Sequence, residues 1–291
     1  MTDRPQTAEL GPAIALVLLA NLLFATVDSS TKWLLAAGLG VLQLAFLRYA
    51  VHCGITLVES AVRGRVVALP ARDRALVLLR AFCLVSSTVV NFIALGVLPL
   101  AVTSSILFLA PVLTVIFARL LLGEALTPAR ICAVCLGFTG VLVIVGPFSG
   151  PVNVYALLML YPAMAVALYN VLTRMLAARV SAHRMQLTTG VLGTVVLAPL
   201  GLWQWTTPSD PLVWALALAI GAFAWAGHEV LTRAHRGAEA SILAPFGYSF
   251  VLYLVVAGWV IFGETPSLAT LTGGTLIICA GLLVFAQRRP A

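Results

Sequence analysis

Ten apolar runs of roughly 18 to 24 residues divide the chain, and between them the polar residues gather in short clusters. Each run is long enough to cross a lipid bilayer as a helix, and none alternates in the way a half-buried strand does. The spans are expected near 13–34, 41–62, 75–96, 101–122, 128–146, 153–176, 184–205, 212–233, 240–262 and 268–286. The connections are too short to hold a soluble domain. Pro99, Pro128, Pro151, Pro208, Pro211 and Pro266 fall in them, where a missing N–H costs little. Thr127-Pro128 reads as a helix start, with Thr as the cap and Pro in the first turn.

The chain also repeats itself. Ser105-Ile106-Leu107-Phe108-Leu109-Ala110-Pro111 opens one apolar segment that closes on Gly123-Glu124. Roughly 140 residues later Ser241-Ile242-Leu243-Ala244-Pro245 opens another that closes on Gly263-Glu264. The echo is imperfect, since proline and glutamate are 13 residues apart in the first copy and 19 in the second. Two copies of five spans each, residues 1–148 and 149–291, must be inverted relative to one another, because five is odd. The fold class expected is therefore an all-α integral membrane protein of ten transmembrane helices, arranged as two inverted five-helix repeats.

Composition agrees. The 291 residues are 62% hydrophobic and 9% charged, where a soluble domain carries about 25% charge. The mean hydropathy is +1.08. The formal charge of +7 does not point to nucleic acid, because the basic residues sit in short connections and form no contiguous patch. Their placement sets an orientation instead. Arg4, Arg63, Arg65, Arg72, Arg74, Arg119, Arg130, Arg174, Arg179, Arg184, Arg233, Arg236, Arg288 and Arg289 all fall on one side if there are ten spans. That side is expected to be the cytoplasm, with both termini there and the chain in the inner membrane. The five cysteines lie in apolar runs, and Cys132-x-x-Cys135 reads as two small fillers of a membrane helix rather than a redox or metal motif. No cofactor or metal set is found, and no convincing catalytic one.

Several short motifs, in this order, carry a family resemblance. The first half has Asp28-x-x-x-Lys32, Phe46-Leu47-Arg48, Leu79-Arg80, Ala94-Leu95-x-x-x-Pro99-Leu100-Ala101, Pro111 and Gly123-Glu124. The second has Gly227-His228, Arg233-Ala234, Ala240-Ser241, Ala244-Pro245-Phe246 and Gly263-Glu264. Over nearly its whole length the chain resembles the EamA type of the drug/metabolite transporter superfamily. The resemblance implies a secondary transporter working by alternating access on a small polar solute. It does not name the cargo.

The ionisable residues inside spans are the candidates for that work, since a charge in hydrocarbon is costly and marks function by default. Asp28 lies deep in span 1, with Lys32 four residues on along the same face and Arg48 at similar depth in span 2. The three form either a substrate-binding cluster or a structural ion pair, and Lys32 has the further option of reaching the outer interface. His228 and Glu229 offer a proton relay, against which stands a plain helical pair of Glu229 with Arg233. Protons are accordingly the candidate coupling ion. His52 reads as a packed polar residue. Asn21, Asn91 and Asn170 are lone amides that either glue helices or line a cavity. Tyr161, Tyr169, Trp225, Phe246 and Tyr248 are candidates for an amphipathic cavity wall. Pro111 and Pro245 are expected to bend or break spans 4 and 9. Glu124 and Glu264 close helices and offer gating contacts. The cargo expected is a small metabolite, an amino acid or related zwitterion moved outward, with uptake or exchange of an organic anion or nucleotide derivative as the alternative. A passive channel or a membrane enzyme is less well supported. The bilayer is the other partner, and either a monomer or a homodimer is compatible with the sequence.

Overall fold

Apolar runs interrupted by Gly, Pro and charge give helices and no strand among the described residues, because lipid supplies no hydrogen-bond partner for an open backbone. A computed structural model of the chain describes residues 7–63, 71–122, 128–145, 153–176, 179–203, 205–237, 246–247 and 249–286. Its helices are α1 (Thr7–Ala36), α2 (Val41–Arg63), α3 (Arg74–Leu95, preceded by a 3-10 turn at Ala71–Asp73), α4 (Leu100–Leu107), α5 (Ala110–Leu122) and α6 (Pro128–Val145). Then follow α7 (Val154–Leu158), α8 (Leu160–Leu176), α9 (Ala182–Trp203), α10 (Pro211–Gly237), α11 (Ser249–Phe262) and α12 (Leu268–Ala286). Taken with α4–α5 and α7–α8 as broken single crossings, these are ten apolar segments. Seven are long enough to cross a bilayer unaided, and three more, within α6, α11 and α12, are shorter and apolar. The fold is a ten-helix all-α membrane bundle.

Each break lies just ahead of a proline. Span 4 leaves the helix at Phe108 and Leu109, just ahead of Pro111, which has no N–H for the carbonyl of Leu107. Span 6 is interrupted at Met159, and Pro162 likewise cannot bond Leu158. The second break was not expected from the sequence. Elsewhere the ends follow local rules. Pro211 takes the first position of α10, and the carboxylate of Asp210 accepts the N–H of Leu212 at 2.8 Å.

The packing order matters for the site. α1 lies against α10 and α11, α2 against α9 and α10, and α3 against α8 and α9. α4 packs on α11 and α12, α5 on α8, and α6 on α12. The largest core cluster, with Leu34, Leu44, Tyr49, Phe92, Ile220 and Leu254, joins α1, α2, α3, α10 and α11. A small residue sets how closely two of these helices meet: a Cβ on Gly193 of α9 would stand 2.4 Å from Cγ of Tyr49 on α2. Only glycine allows this approach, and through it Tyr49 is pinned where it meets Arg48.

Candidate functional site

Ionisable and amide side chains are brought together along the inside of the bundle, in a file that runs from one end to the other. At the end where α1 gives way to α2, Lys32 donates to the carbonyl of Leu98 at 2.6 Å and is ion-paired with Glu264 at 2.5 Å. The other oxygen of Glu264 accepts the backbone N–H of Leu100 at 2.9 Å, at the start of α4. Glu264 can reach both because Gly263 takes a left-handed φ of 65° and turns the chain sharply out of α11. One carboxylate thus ties α1, the α3–α4 connection and the α11–α12 turn together. Beside it lies a cavity of about 380 Å³ lined by Lys32, Leu35, Ile93, Tyr155 and Phe262 among others.

One turn deeper, Asp28 accepts from the amide of Asn91 at 3.3 and 3.4 Å. Next comes Arg48. One of its terminal nitrogens donates to the hydroxyls of Thr88 at 2.6 Å and Tyr49 at 3.0 Å. Tyr49 and Thr88 share a further bond at 2.8 Å, and both reach the carbonyl of Leu84. The rings of Tyr49 and Phe92 flank the guanidinium, 5.0 and 6.0 Å from its carbon. Asp28 and Arg48 are both 9% exposed and are not ion-paired to each other. The Nε of Arg48 and the amide oxygen of Asn91 are buried and have no hydrogen-bond partner among the described residues.

His52 follows one turn on from Arg48 along α2, its ring centre 6.3 Å from that of His228 on α10, which packs edge-on to Phe24 at 4.9 Å. Arg48 lies close enough to act electrostatically on Asp28, His52 and His228. Towards the arginine-rich end the file continues to Arg80. It donates to Tyr169, Thr173 and Thr189 and to the carbonyl of Met185, and its guanidinium stacks on the Tyr169 ring at 4.2 Å. The rim there carries ion pairs of Asp73 with Arg179 at 3.0 Å and of Glu229 with Arg233 at 3.1 Å, and a contact of Glu59 with His183 at 3.6 Å.

The sequence-predicted residues therefore separate. Asp28, Lys32 and Arg48 do share one side of the interior, but Lys32 is committed to Glu264 and only Asp28 and Arg48 lie deeper. Asn91 joins Asp28. Asn21 instead braces the entry to α11, donating to the carbonyls of Phe246 and Gly247 and to Ser249 Oγ at 3.1, 3.3 and 2.9 Å. Tyr169 meets Arg80. Tyr161 bonds Ser86 at 2.8 Å on a more exposed flank, Asn170 is exposed and Trp225 half-buried. Glu229 turns to Arg233 rather than inward, while its neighbour His228 lies in the file. Pro111 is the second residue of α5. Pro245, Tyr248 and Glu124 lie outside the described residues. Three contributors were not among the candidate site residues read from sequence: Tyr49, Thr88 and Arg80, the last noted only within the Leu79-Arg80 motif. Arg80 could have been found, because it is an ionisable residue inside an apolar run, the same signal that marks Asp28.

Comparison with known proteins places this arrangement. The sequence profile of the EamA-like transporter family matches the chain twice, at residues 11–146 and 153–286. The chain is 30% identical to a riboflavin transporter of Brucella anthropi, over 91% of its own length and 95% of that protein. It is also 30% identical to the pseudopaline exporter of Pseudomonas aeruginosa, over 93% and 95% of the two chains. A solved crystal structure with 21% identity shares the fold at a TM-score of 0.65, covering 97% of this chain and 100% of that one. An interior lined with intramembrane charge, two successive matches to one profile and relatives that carry metabolites leave no need for a catalytic reading: the chain belongs to the EamA-like transporter family of membrane carriers within the drug/metabolite transporter superfamily.

Proposed function

We propose that this protein is a secondary carrier of the inner membrane that moves an amino acid or related zwitterion outward by alternating access. Two inverted halves, 1–148 and 149–291, would rock about a site near the bilayer midplane, with both termini cytoplasmic. The helix packing supports two such halves. Exchanging each of the first five crossings for its counterpart in the last five turns the α1–α10 contact into α8–α3, α2–α10 into α9–α3, and α1–α11 into α8–α5, all of which are present. On this reading the arginine-rich rim faces the cytoplasm, and Lys32 with Glu264 closes the external end.

One observation carries the cargo assignment. In the middle of the file a buried carboxylate and a buried guanidinium lie near one another, yet each is bonded only to neutral groups, Asp28 to an amide and Arg48 to hydroxyls. Charges meant only to hold helices together would neutralise each other, since a buried ion is expensive unless paired. The free Nε edge of Arg48 suits a carboxylate, whose two oxygens match a guanidinium fork. Asp28, with the free oxygen of Asn91, suits an ammonium group. The relative named for pseudopaline export supports outward movement. A second reading, uptake of a planar ring-bearing metabolite, is favoured by the rings that flank Arg48.

Counterflow in proteoliposomes tests both. Vesicles loaded separately with amino acids, organic acids or nucleotide derivatives receive the same compound, labelled, outside. The expected result is saturable accumulation that depends on internal amino acid. Accumulation driven by another class alone would replace the cargo assignment, and flux that never saturates would make the protein a channel.

A further inference from the structure

Arg80 sits on the same helix as Thr88, the residue that holds Arg48, but eight positions earlier, which is about 12 Å along the axis. It is 4% exposed, more deeply buried than Arg48. Its Nε donates to Thr173 at 2.7 Å and one terminal nitrogen to Tyr169 at 2.6 Å, while the other reaches Thr189 at 3.3 Å and the Met185 carbonyl at 3.4 Å. Every acceptor is neutral, and among the described residues no carboxylate is in ion-pair range. The acceptors come from α8 and α9 and the arginine from α3. The bonds therefore fix the orientation of the guanidinium across three helices without cancelling its charge. A residue needed only to pack these helices would be cheaper as an apolar one. The Tyr169 ring, 4.2 Å from the guanidinium carbon, adds a flat apolar wall. The rings of His52 and His228 pack against one another, and both Arg48 and Arg80 lie close enough to act on His228 electrostatically.

We propose that Arg80, stacked on Tyr169, is a second anion station of the transport path, separate from Arg48 and nearer the arginine-rich end, and that it takes a carboxylate attached to a planar or aromatic body. The inference rests on the carrier reading above and narrows its cargo to carboxylates that can lie against a ring. Because Arg48 bonds Thr88, eight positions along α3 from Arg80, a small carboxylate bonded to one guanidinium is offset along the helix from the other. A single cargo molecule therefore visits the stations in succession, while two molecules can occupy them together.

The test is binding of 4-hydroxybenzoate, by titration calorimetry, to the full chain in lipid nanodiscs. Wild type is expected to bind two equivalents. Arg80→Gln and Arg48→Gln should each bind one, and the double variant none. Arg80→Lys, which keeps a charge but loses the fork and the stack, should keep the second site with affinity lowered about tenfold. Wild-type stoichiometry in Arg80→Gln overturns the proposal, as does a single wild-type site that only Arg48→Gln removes. Neither of these touches the carrier reading, which stands or falls on saturable counterflow. Absence of any binding to wild type also overturns the second station. Should Arg80→Gln fail to elute as a folded species, Tyr169→Leu decides. A several-fold weakening confined to one site supports the station, and two unchanged sites sink it.

Discussion

The charges at the two ends of the bundle and the charges in its middle are treated differently. At the ends several ions are held by an ion of opposite sign: Lys32 has Glu264, Asp73 has Arg179, and Glu229 has Arg233. In the middle Asp28 has an amide, Arg48 has two hydroxyls, and Arg80 has hydroxyls and a carbonyl. The middle is where neutralisation matters most, because the low dielectric makes an uncompensated charge expensive. A fold built only for stability would show the opposite distribution. On the proposed reading, the difference separates residues that close the path from residues that receive a charged cargo.

The largest effect should come from the middle. Arg48→Gln keeps a polar side chain of similar reach but removes the charge and the fork. A charge-assisted bond of about 1.5–3 kcal/mol lost to the cargo corresponds to a fall in transport efficiency on the order of 10- to 100-fold. Initial counterflow rates against substrate concentration measure it, with thermal unfolding as the control for folding. Unchanged efficiency would mean that the uncompensated guanidinium is structural after all, and the contrast between middle and ends would lose its functional meaning.

A smaller effect is expected at the Lys32 end. Glu264→Gln leaves an oxygen for the N–H of Leu100 but breaks the ion pair, whose members are 15% and 19% exposed. A partly exposed pair of this kind is worth about 1 kcal/mol, so the population open at this end should rise about fivefold. A cysteine at Ile93, on the cavity wall, reports it through its labelling rate with a membrane-impermeant maleimide. An unaltered rate would show that the Lys32–Glu264 contact does not close the path.

The contrast itself was only half legible in the sequence. Spans, joints and the side of the arginine clusters follow from hydropathy, proline and charge, which are local. The break before Pro111 is of that kind. The break at Met159 has the same local signal in Pro162, inside a run that is unbroken in hydropathy. What the chain could not tell is which charges meet. Asp28 and Lys32 share a helical face four residues apart, the spacing of a pair, yet Lys32 turns to a carboxylate at the far end of the chain because the α11–α12 turn folds back over α1. Arg80 lies inside an apolar run, which marks it as an intramembrane charge, but its partners on α8 and α9 are not legible in the sequence.

The smallest effect is expected at Glu229, and it is the most useful check on where the rim ends. From sequence the residue had two readings, a proton relay with His228 or a helical pair with Arg233, and the geometry gives the pair. Arg233 is 56% exposed, and an exposed pair at this spacing contributes about 0.3–0.5 kcal/mol. Glu229→Gln should therefore leave the counterflow rate within about twofold of wild type and its dependence on pH unaltered. The neighbouring His228, one residue away, packs against His52 and Phe24 instead. If Glu229→Gln instead abolishes transport or displaces the pH profile, the carboxylate leaves Arg233 during the cycle. The division between paired ends and unpaired middle would then describe one conformation rather than the mechanism, and proton coupling through Glu229 would have to be built into it.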